Sequence, residues 1–343
     1  MAPRQKSDRV TIKTVAEDAG VSTAAVSKVL RDAYGVSEAL RARVQTSMQK
    51  LGYRPHTAAR GMRGQTYTLG VILPDIHNPF FSDIVAGLNA ALERTQYQTL
   101  FGIGQSNPVT EQAVIDAMVD RQMDGIIFIG PRMPPATIDA VARRIPTTVI
   151  AHHASVEAYD TVNNEDVLGG MLVVQHLVHA NYRNIAMLSL GLPPYNSAQV
   201  TLQREIGYRR AMDEAGLRRY IKVVMAEQTP REVQAVARQL LRSRGRPEAI
   251  FCWTDFIGLE VLSVARELGL SVPGDLAIVG YDNTSYCDLA QNALTSVDQS
   301  GQVLGLQAAR LLVERIKGRD KGEHFVVTPR LVVRESSRQR SGP

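Results

Sequence analysis

Cysteine and tryptophan are scarce in this chain: 343 residues hold two cysteines, Cys252 and Cys287, and one tryptophan, Trp253. A single cysteine pair supplies neither a disulfide framework nor a thiolate metal cluster, so no metal and no cofactor is expected and a reducing compartment fits. Long apolar runs are missing as well. Runs such as Gly125–Ile129 are strand-sized, far below the roughly 20 residues that cross a bilayer. The opening MAPRQKSDRV is polar and lacks the hydrophobic region of a secretory leader, which predicts a cytoplasmic protein with no membrane partner. Catalytic signatures are equally thin. There is no GxSxG elbow, no P-loop and no zinc-protease helix, and Gly102 and Gly104 lack the third glycine of a dinucleotide site, so an enzyme is not expected.

Overall charge is modest, at +5, but it is unevenly placed. Residues 1–66 carry 12 Lys and Arg against 5 Asp and Glu, whereas the remaining residues carry 27 against 29. Phosphate binding responds to local charge, so a polyanion would be met by the front of the chain. In that front segment Val15, Ala16 and Ala19 can share one helical face, Gly20 permits a tight turn, Ser22 can cap a second helix, and Val26, Val29 and Leu30 form the apolar face of that helix. Two short helices joined through a glycine make a helix-turn-helix. The second helix leaves Thr23, Ala24, Ser27 and Lys28 outside, all small or cationic, so it can enter a major groove. A third helix, capped by Ser37 and stopped by Gly52, carries Leu40, Val44, Met48 and Leu51 to close a small core.

The stretch TIKTVAEDAGVSTAAVSKVL from Thr11, continued by LGYRPHTAARGMR (Leu51–Arg63), resembles the headpiece of the LacI/GalR family of bacterial regulators. The resemblance extends through TLGVILPDIHNPFFSDIVAGL (Thr68–Leu88), DGIIFIG (Asp124–Gly130), VPGDLAIVGYDN (Val272–Asn283) and TPRLVVRESS (Thr328–Ser337). It implies a homodimeric regulator, a repressor rather than an activator, that binds a pseudo-palindromic double-stranded DNA operator and answers to a small-molecule effector. By the same resemblance Thr11, Ser22, Thr23, Ala24, Ala25, Ser27, Lys28, Tyr53, Arg54, Ala59, Arg60 and Met62 are the DNA-binding positions. The segment Arg54–Arg63 corresponds to a hinge helix that crosses the minor groove with Met62 as its wedge. Gly61 departs from the pattern and makes that helix about 1 kcal/mol costlier than alanine would.

After Tyr67, apolar runs alternate with amphipathic segments and the pattern restarts near Asn184, which predicts two successive α/β lobes with parallel sheets and a cleft between them. The expected fold is therefore α/β: a small all-α headpiece over 1–54, a linker over 55–66, and a two-lobed, periplasmic-binding-protein-like domain over 67–343. Its first lobe is expected to take 67–168 with 300–328, and its second 169–299 with 329–343. Ligands of open α/β sheets sit beyond the carboxyl ends of strands. That places Asp75, Asn78, Phe80, Phe81, His153, Trp253, Thr254, Asp255 and Asp282 near the cleft, and the family resemblance implies effector contacts at Phe80, Phe81, Arg204, Thr254 and Asp282. Aromatic, guanidinium and carboxylate groups together suit a sugar or sugar acid, and purines fit the same set. Structural roles compete at each position: Phe81 as core, Asp75 and Asp282 as helix caps, Arg204 paired with Glu205 or an exposed acid, Trp253 as core. A solute-binding protein for transport would share the lobes, but it would need export and no helix-turn-helix.

Overall fold

The computed structural model describes residues 10–30, 33–53, 65–154, 156–191, 200–227 and 229–338. They divide into two compact units, Met1–Thr66 and Tyr67–Pro343. The first unit is three helices: α1 (Ile12–Asp18), α2 (Thr23–Leu30) and α3 (Glu38–Leu51). Thr11 caps α1 in a reciprocal box with Thr14, Ser37 caps α3, and Gly52 ends α3 in the left-handed region at φ 61°. Val15, Ala16, Ala19, Val26, Val29 and Val44 form the buried core, with Leu40, Met48 and Leu51 packed against it. Ser47 in α3 donates to the Val15 carbonyl at 3.3 Å, fixing α3 across α1.

The second unit is built on two six-stranded sheets. The first contains β1 (Thr68–Leu73), β2 (Gln98–Ile103), β3 (Gly125–Ile129), β4 (Thr147–Ile150), β5 (Asp160–Asn164) and the late β11 (His324–Val327), in the order β11-β5-β4-β3-β1-β2. Every pairing in it is parallel. The second contains β6 (Ile185–Leu190), β7 (Lys222–Ala226), β8 (Ala249–Cys252), β9 (Ala277–Asp282), β10 (Thr295–Asp298) and β12 (Arg330–Val332), in the order β12-β10-β9-β8-β6-β7. Here β12 alone runs antiparallel, along β10. Central strands such as β3 and β8 are buried along their whole length, as strands covered by helices on both faces must be, which explains their uninterrupted apolar sequences.

The helices that matter for the cleft are α4 (Phe80–Leu92) and α11 (Gly301–Ile316) on the first sheet, and α7 (Asp166–His179), α8 (Val200–Glu214) and α10 (Asp255–Glu267) on the second. Between α4 and α7 the chain adds α5 (Pro108–Asp120) and α6 (Pro135–Ala142); α9 (Pro230–Arg242) comes after α8. The chain passes between the sheets three times: from β5 into α7, from β10 into α11, and from β11 into β12. These passages are bonded to one another. The Glu165 amide donates to the Val327 carbonyl at 3.1 Å, Thr328 Oγ1 donates to Glu165 at 2.8 Å, and Arg330 pairs with Asp298 at 2.8 Å. Short, cross-tied passages allow the lobes to change angle while holding them together.

In both lobes, two helices approach so closely that only glycine fits. A Cβ on Gly87 or Gly305 would overlap backbone of α11 or α4, and one on Gly170 or Gly207 would overlap backbone of α8 or α7. Gly207→Ala is expected to destabilise the second unit by about 2 kcal/mol or more, because a carbonyl of α7 cannot yield as a side chain can. Gly245→Ala, with nothing within 4 Å of the added Cβ, should change stability little. Urea unfolding of the two variants tests this, and equal midpoints would refute the close-packing account.

Candidate functional site

In the first unit the side chains named from sequence fall into two groups. Thr23, Ala24 and Lys28 are exposed on α2, while Val26 and Val29 on its opposite face are buried. Thr11 and Ser22 both face solvent but serve as caps: Thr11 accepts from the Thr14 amide at 3.4 Å, and Ser22 accepts from the Ala25 amide at 3.1 Å. Ala25, Ser27 and Tyr53 are half-buried, and Tyr53 packs on the headpiece core. Arg54, Ala59, Arg60, Gly61 and Met62 lie outside the described residues.

In the second unit the carboxyl ends of the strands converge on a cavity of about 100 Å³. At roughly 10–15 Å³ per water, that is room for several waters or one compact ligand. Its lining mixes apolar side chains, Phe80, Phe81 and Ile84 of α4 with Ile129, Ile150, Val162 and Leu304, and polar ones, Asp75, Asn78, Asp166, Arg204, Asp282 and Gln299. Eight of the ten residues expected at the cleft line it: Asp75, Asn78, Phe80, Phe81, Arg204, Trp253, Thr254 and Asp282. Asp255 is instead held by the Thr284 amide and Ser296, and His153 does not appear in that lining; its neighbour His152 does, with Nε2 buried and without a hydrogen-bond partner among the described residues.

The structural roles weighed from sequence are resolved by the contacts. Asp75 accepts from the amides of His77 and Asn78 at 2.7 and 3.1 Å, so it turns the chain as well as lining the cavity. Thr254 caps α10 through the Ile257 amide. Asp282 caps nothing. One carboxyl oxygen accepts from Asn78 Nδ2 at 2.9 Å, reaching across to the other lobe, and the second accepts from Gln299 Nε2 at 2.5 Å. Its backbone sits at φ 114°, a strained value for an aspartate, held by these partners at the end of β9. Trp253 keeps a buried indole N–H without a partner among the described residues, a donor suited to a ligand oxygen.

Arg204 pairs with neither Glu205 nor an exposed acid. Glu205 goes to Arg209, and Arg204 Nε meets Asp166 Oδ1 at 2.9 Å, with only 4% and 2% of the two side chains exposed. The guanidinium lies 3.7 Å from the Tyr281 ring centre and 4.8 Å from that of Trp253. Nη1 donates to the Trp253 carbonyl at 2.8 Å and Nη2 to Gln299 Oε1 at 3.2 Å. His153 completes the group by donating through Nε2 to Asp166 Oδ2 at 2.8 Å. Burial opposes the guanidinium charge, but Asp166 and its acidic neighbours outweigh it and hold Arg204 above its ordinary value.

Asp166 and Gln299 were therefore missed as cleft residues, as was His152, whereas Asn78 follows the first strand closely enough to be found. Asp166 and Gln299 lie in the inter-lobe passages rather than just after a recognisable apolar run, and only the fold brings them to the strand ends. His176 and His179, three positions apart on α7, have partners within the chain: His176 bonds Ser337, and His179 bonds the Gln175 carbonyl. Among the described residues no group of three His, Cys, Asp or Glu is placed to hold a metal ion.

Residues 11–56 match a family profile described as bacterial regulatory proteins, lacI family, and residues 174–337 match one described as periplasmic binding protein-like domain. The chain is similar to catabolite control protein A of Priestia megaterium, 32% identical over 334 residues that cover 96% of this chain and 99% of that protein. It is also similar to the HTH-type transcriptional repressor CytR of Escherichia coli, 30% identical over 342 residues, 98% of this chain and 99% of that one. A solved structure, the transcriptional regulator CelR–cellobiose complex, matches at TM-score 0.69 and 27% identity over 96% of this chain and all of its own.

Titration of the cleft gives a test. Burial pushes the Asp282 carboxyl up to about 8, against Arg204, Asn78 and Gln299, which pull it down. The folded state then binds more protons than the unfolded chain between pH 4 and 8, and stability falls as pH rises through that range. Burial pushes His152 down to about 4, which costs stability as pH falls below 6.5, so the two effects oppose each other in acid. Above pH 6.5 the histidine no longer opposes Asp282. The melting temperature should drop between pH 6.5 and 8.5, and Asp282→Asn should lessen the drop; an unchanged slope in the variant would refute the assignment.

Proposed function

This chain belongs to the LacI family of bacterial regulatory proteins, and from that premise we propose that it represses transcription from a pseudo-palindromic operator under the control of a polyhydroxylated effector bound between the lobes of its second unit. It is a DNA-binding transcriptional regulator and not an enzyme. The observation that carries the proposal is the pairing of a basic three-helix unit, whose α2 presents Thr23, Ala24 and Lys28 to solvent, with a cleft whose lining combines aromatic, guanidinium and carboxylate side chains. Rings of Phe80 and Phe81 suit the C–H face of a sugar, while Asp282, Arg204 and the Trp253 indole suit its hydroxyls. The related regulator bound to cellobiose supports a ligand of this class.

We assign residues 1–54 to the headpiece, 55–66 to a linker and 67–343 to effector binding and self-association. The edge strands β2 and β7, one in each sheet, carry exposed apolar side chains: Leu100 and Phe101 on one, Met225 on the other. Such edges invite cover, and a second copy of the chain would supply it while doubling the DNA contacts. No helix of the described residues is long and apolar enough to cross a membrane, and the proposed site of action is on DNA in the cytoplasm. Effector binding would change the angle between lobes across the three passages, hence the spacing of two headpieces and the operator affinity.

Thr23→Ala with Lys28→Ala should weaken binding to an operator selected from random duplexes by roughly 10- to 100-fold, the worth of one or two base contacts, and leave the melting of the second unit unchanged. Affinity should also fall linearly in log–log form with salt, and a flat salt response would reject the basic unit as the DNA-binding surface. Phe101→Glu is expected to shift sedimentation from dimer to monomer and to reduce operator affinity with it. A thermal-shift screen of sugars, sugar acids, polyols and nucleobases identifies the effector class, and a hit that leaves operator affinity unchanged would count against the linkage.

A further inference from the structure

We propose that Asp166 is a specificity-determining residue of the cleft: it takes up the positive charge of Arg204, so the site admits neutral polyhydroxylated ligands and rejects their carboxylic acids. The proposal rests on reading the cleft as the effector site. An arginine in a polar cleft ordinarily suggests an acid, because two parallel N–H groups along one edge of the guanidinium match a carboxylate. Here every nitrogen of the guanidinium already has a partner. Nε is bonded to Asp166, Nη1 to the Trp253 carbonyl and Nη2 to Gln299, while Tyr281 and Trp253 flank the guanidinium. An incoming carboxylate would have to displace Asp166 along the Nε edge, or the Trp253 carbonyl and Gln299 along the Nη1–Nη2 edge, and Asp166 is itself fixed by His153 and by the Tyr281 hydroxyl at 3.3 Å.

The charge count of the cavity points the same way. Its lining holds the carboxyls of Asp75, Asp166 and Asp282 against the guanidiniums of Arg132 and Arg204. A ligand anion would add negative charge to a lining that is already balanced or acidic, in surroundings that screen it poorly. A neutral sugar adds none. Its hydroxyls can donate to Asp282 and Asp75 and accept from the Trp253 indole, whose N–H has no partner among the described residues.

Acetate, with acetamide as its neutral isostere, probes the guanidinium directly, and Trp253, the single tryptophan, lies 4.8 Å from it as a fluorescent reporter. In the full-length protein, acetate should give no saturable change in fluorescence beyond that of acetamide. Asp166→Asn keeps the shape and removes the charge, and acetate should then bind on the order of tenfold tighter or more than to the unaltered protein. A saturable acetate response in the unaltered protein overturns the proposal, and so does a variant that ignores acetate. If Asp166→Asn alone fails to fold, its combination with Arg204→Gln should restore folding by removing both charges. If neither variant folds, the titration of the unaltered protein decides, flat in favour and saturable against. The readout needs neither operator nor effector, so its failure is distinguishable from failure of the regulatory reading.

Discussion

A guanidinium taken out of water has to be answered where it lies, and in this protein that requirement organises the cleft. Arg204 is 4% exposed and its carboxylate partner 2% exposed, so each ion has lost nearly all of its hydration. A buried pair of this kind gains little net stability, because desolvation offsets much of the Coulomb attraction, but removing one partner leaves the other stranded at a cost of about 3–5 kcal/mol. The pair is thus weak as a source of stability and strong as a constraint on position. Its geometry depends on Gly170 and Gly207, which let α8 lie against the start of α7 so that Arg204 reaches Asp166.

The partners of this pair are also the residues through which the lobes meet. Asp166 stands at the passage from β5 to α7, and Gln299 at the passage from β10 to α11. Gln299 accepts from Arg204 and donates to Asp282, and Asp282 is bonded in turn to Asn78 of the other lobe. A ligand hydroxyl competing for Asp282 therefore competes with a bond that holds the lobes together. Differential contact of this sort is what a ligand needs in order to favour one lobe angle over another.

Much of this was legible in the sequence and part was not, for physical reasons. The headpiece could be read almost residue by residue, because caps, turn and apolar face all lie within a few positions of one another. Lobes, parallel sheets and most of the lining could be read from strand ends, where Asp75, Trp253, Thr254 and Asp282 come directly after apolar runs. Asp166 could not. In the string NNEDVLGG it looks like a solvated acid opening a helix, and its importance depends on Arg204, 38 residues away in the next helix. Asn78 and Asp282 are 204 positions apart. His152 and His153 differ by one position, and only the left-handed turn at Ala151 decides which faces the cavity.

The division of charge between the units reflects what each has to recognise. DNA presents one negative charge per roughly 1.7 Å of helix axis, so the headpiece gains from unbalanced cations held at a water-exposed surface. A small metabolite is enclosed, and enclosure makes any unbalanced charge expensive, so the cleft pairs its cations before the ligand arrives. Coupling the two then requires no charge to move. A ligand that prefers one lobe angle by about 1–3 kcal/mol changes operator affinity by roughly 5- to 150-fold, and the same factor returns as a change in ligand affinity when DNA is bound. A cleft balanced in advance therefore lets the sign and size of regulation be set by the shape of the closed lobes, independently of the salt-dependent grip on DNA.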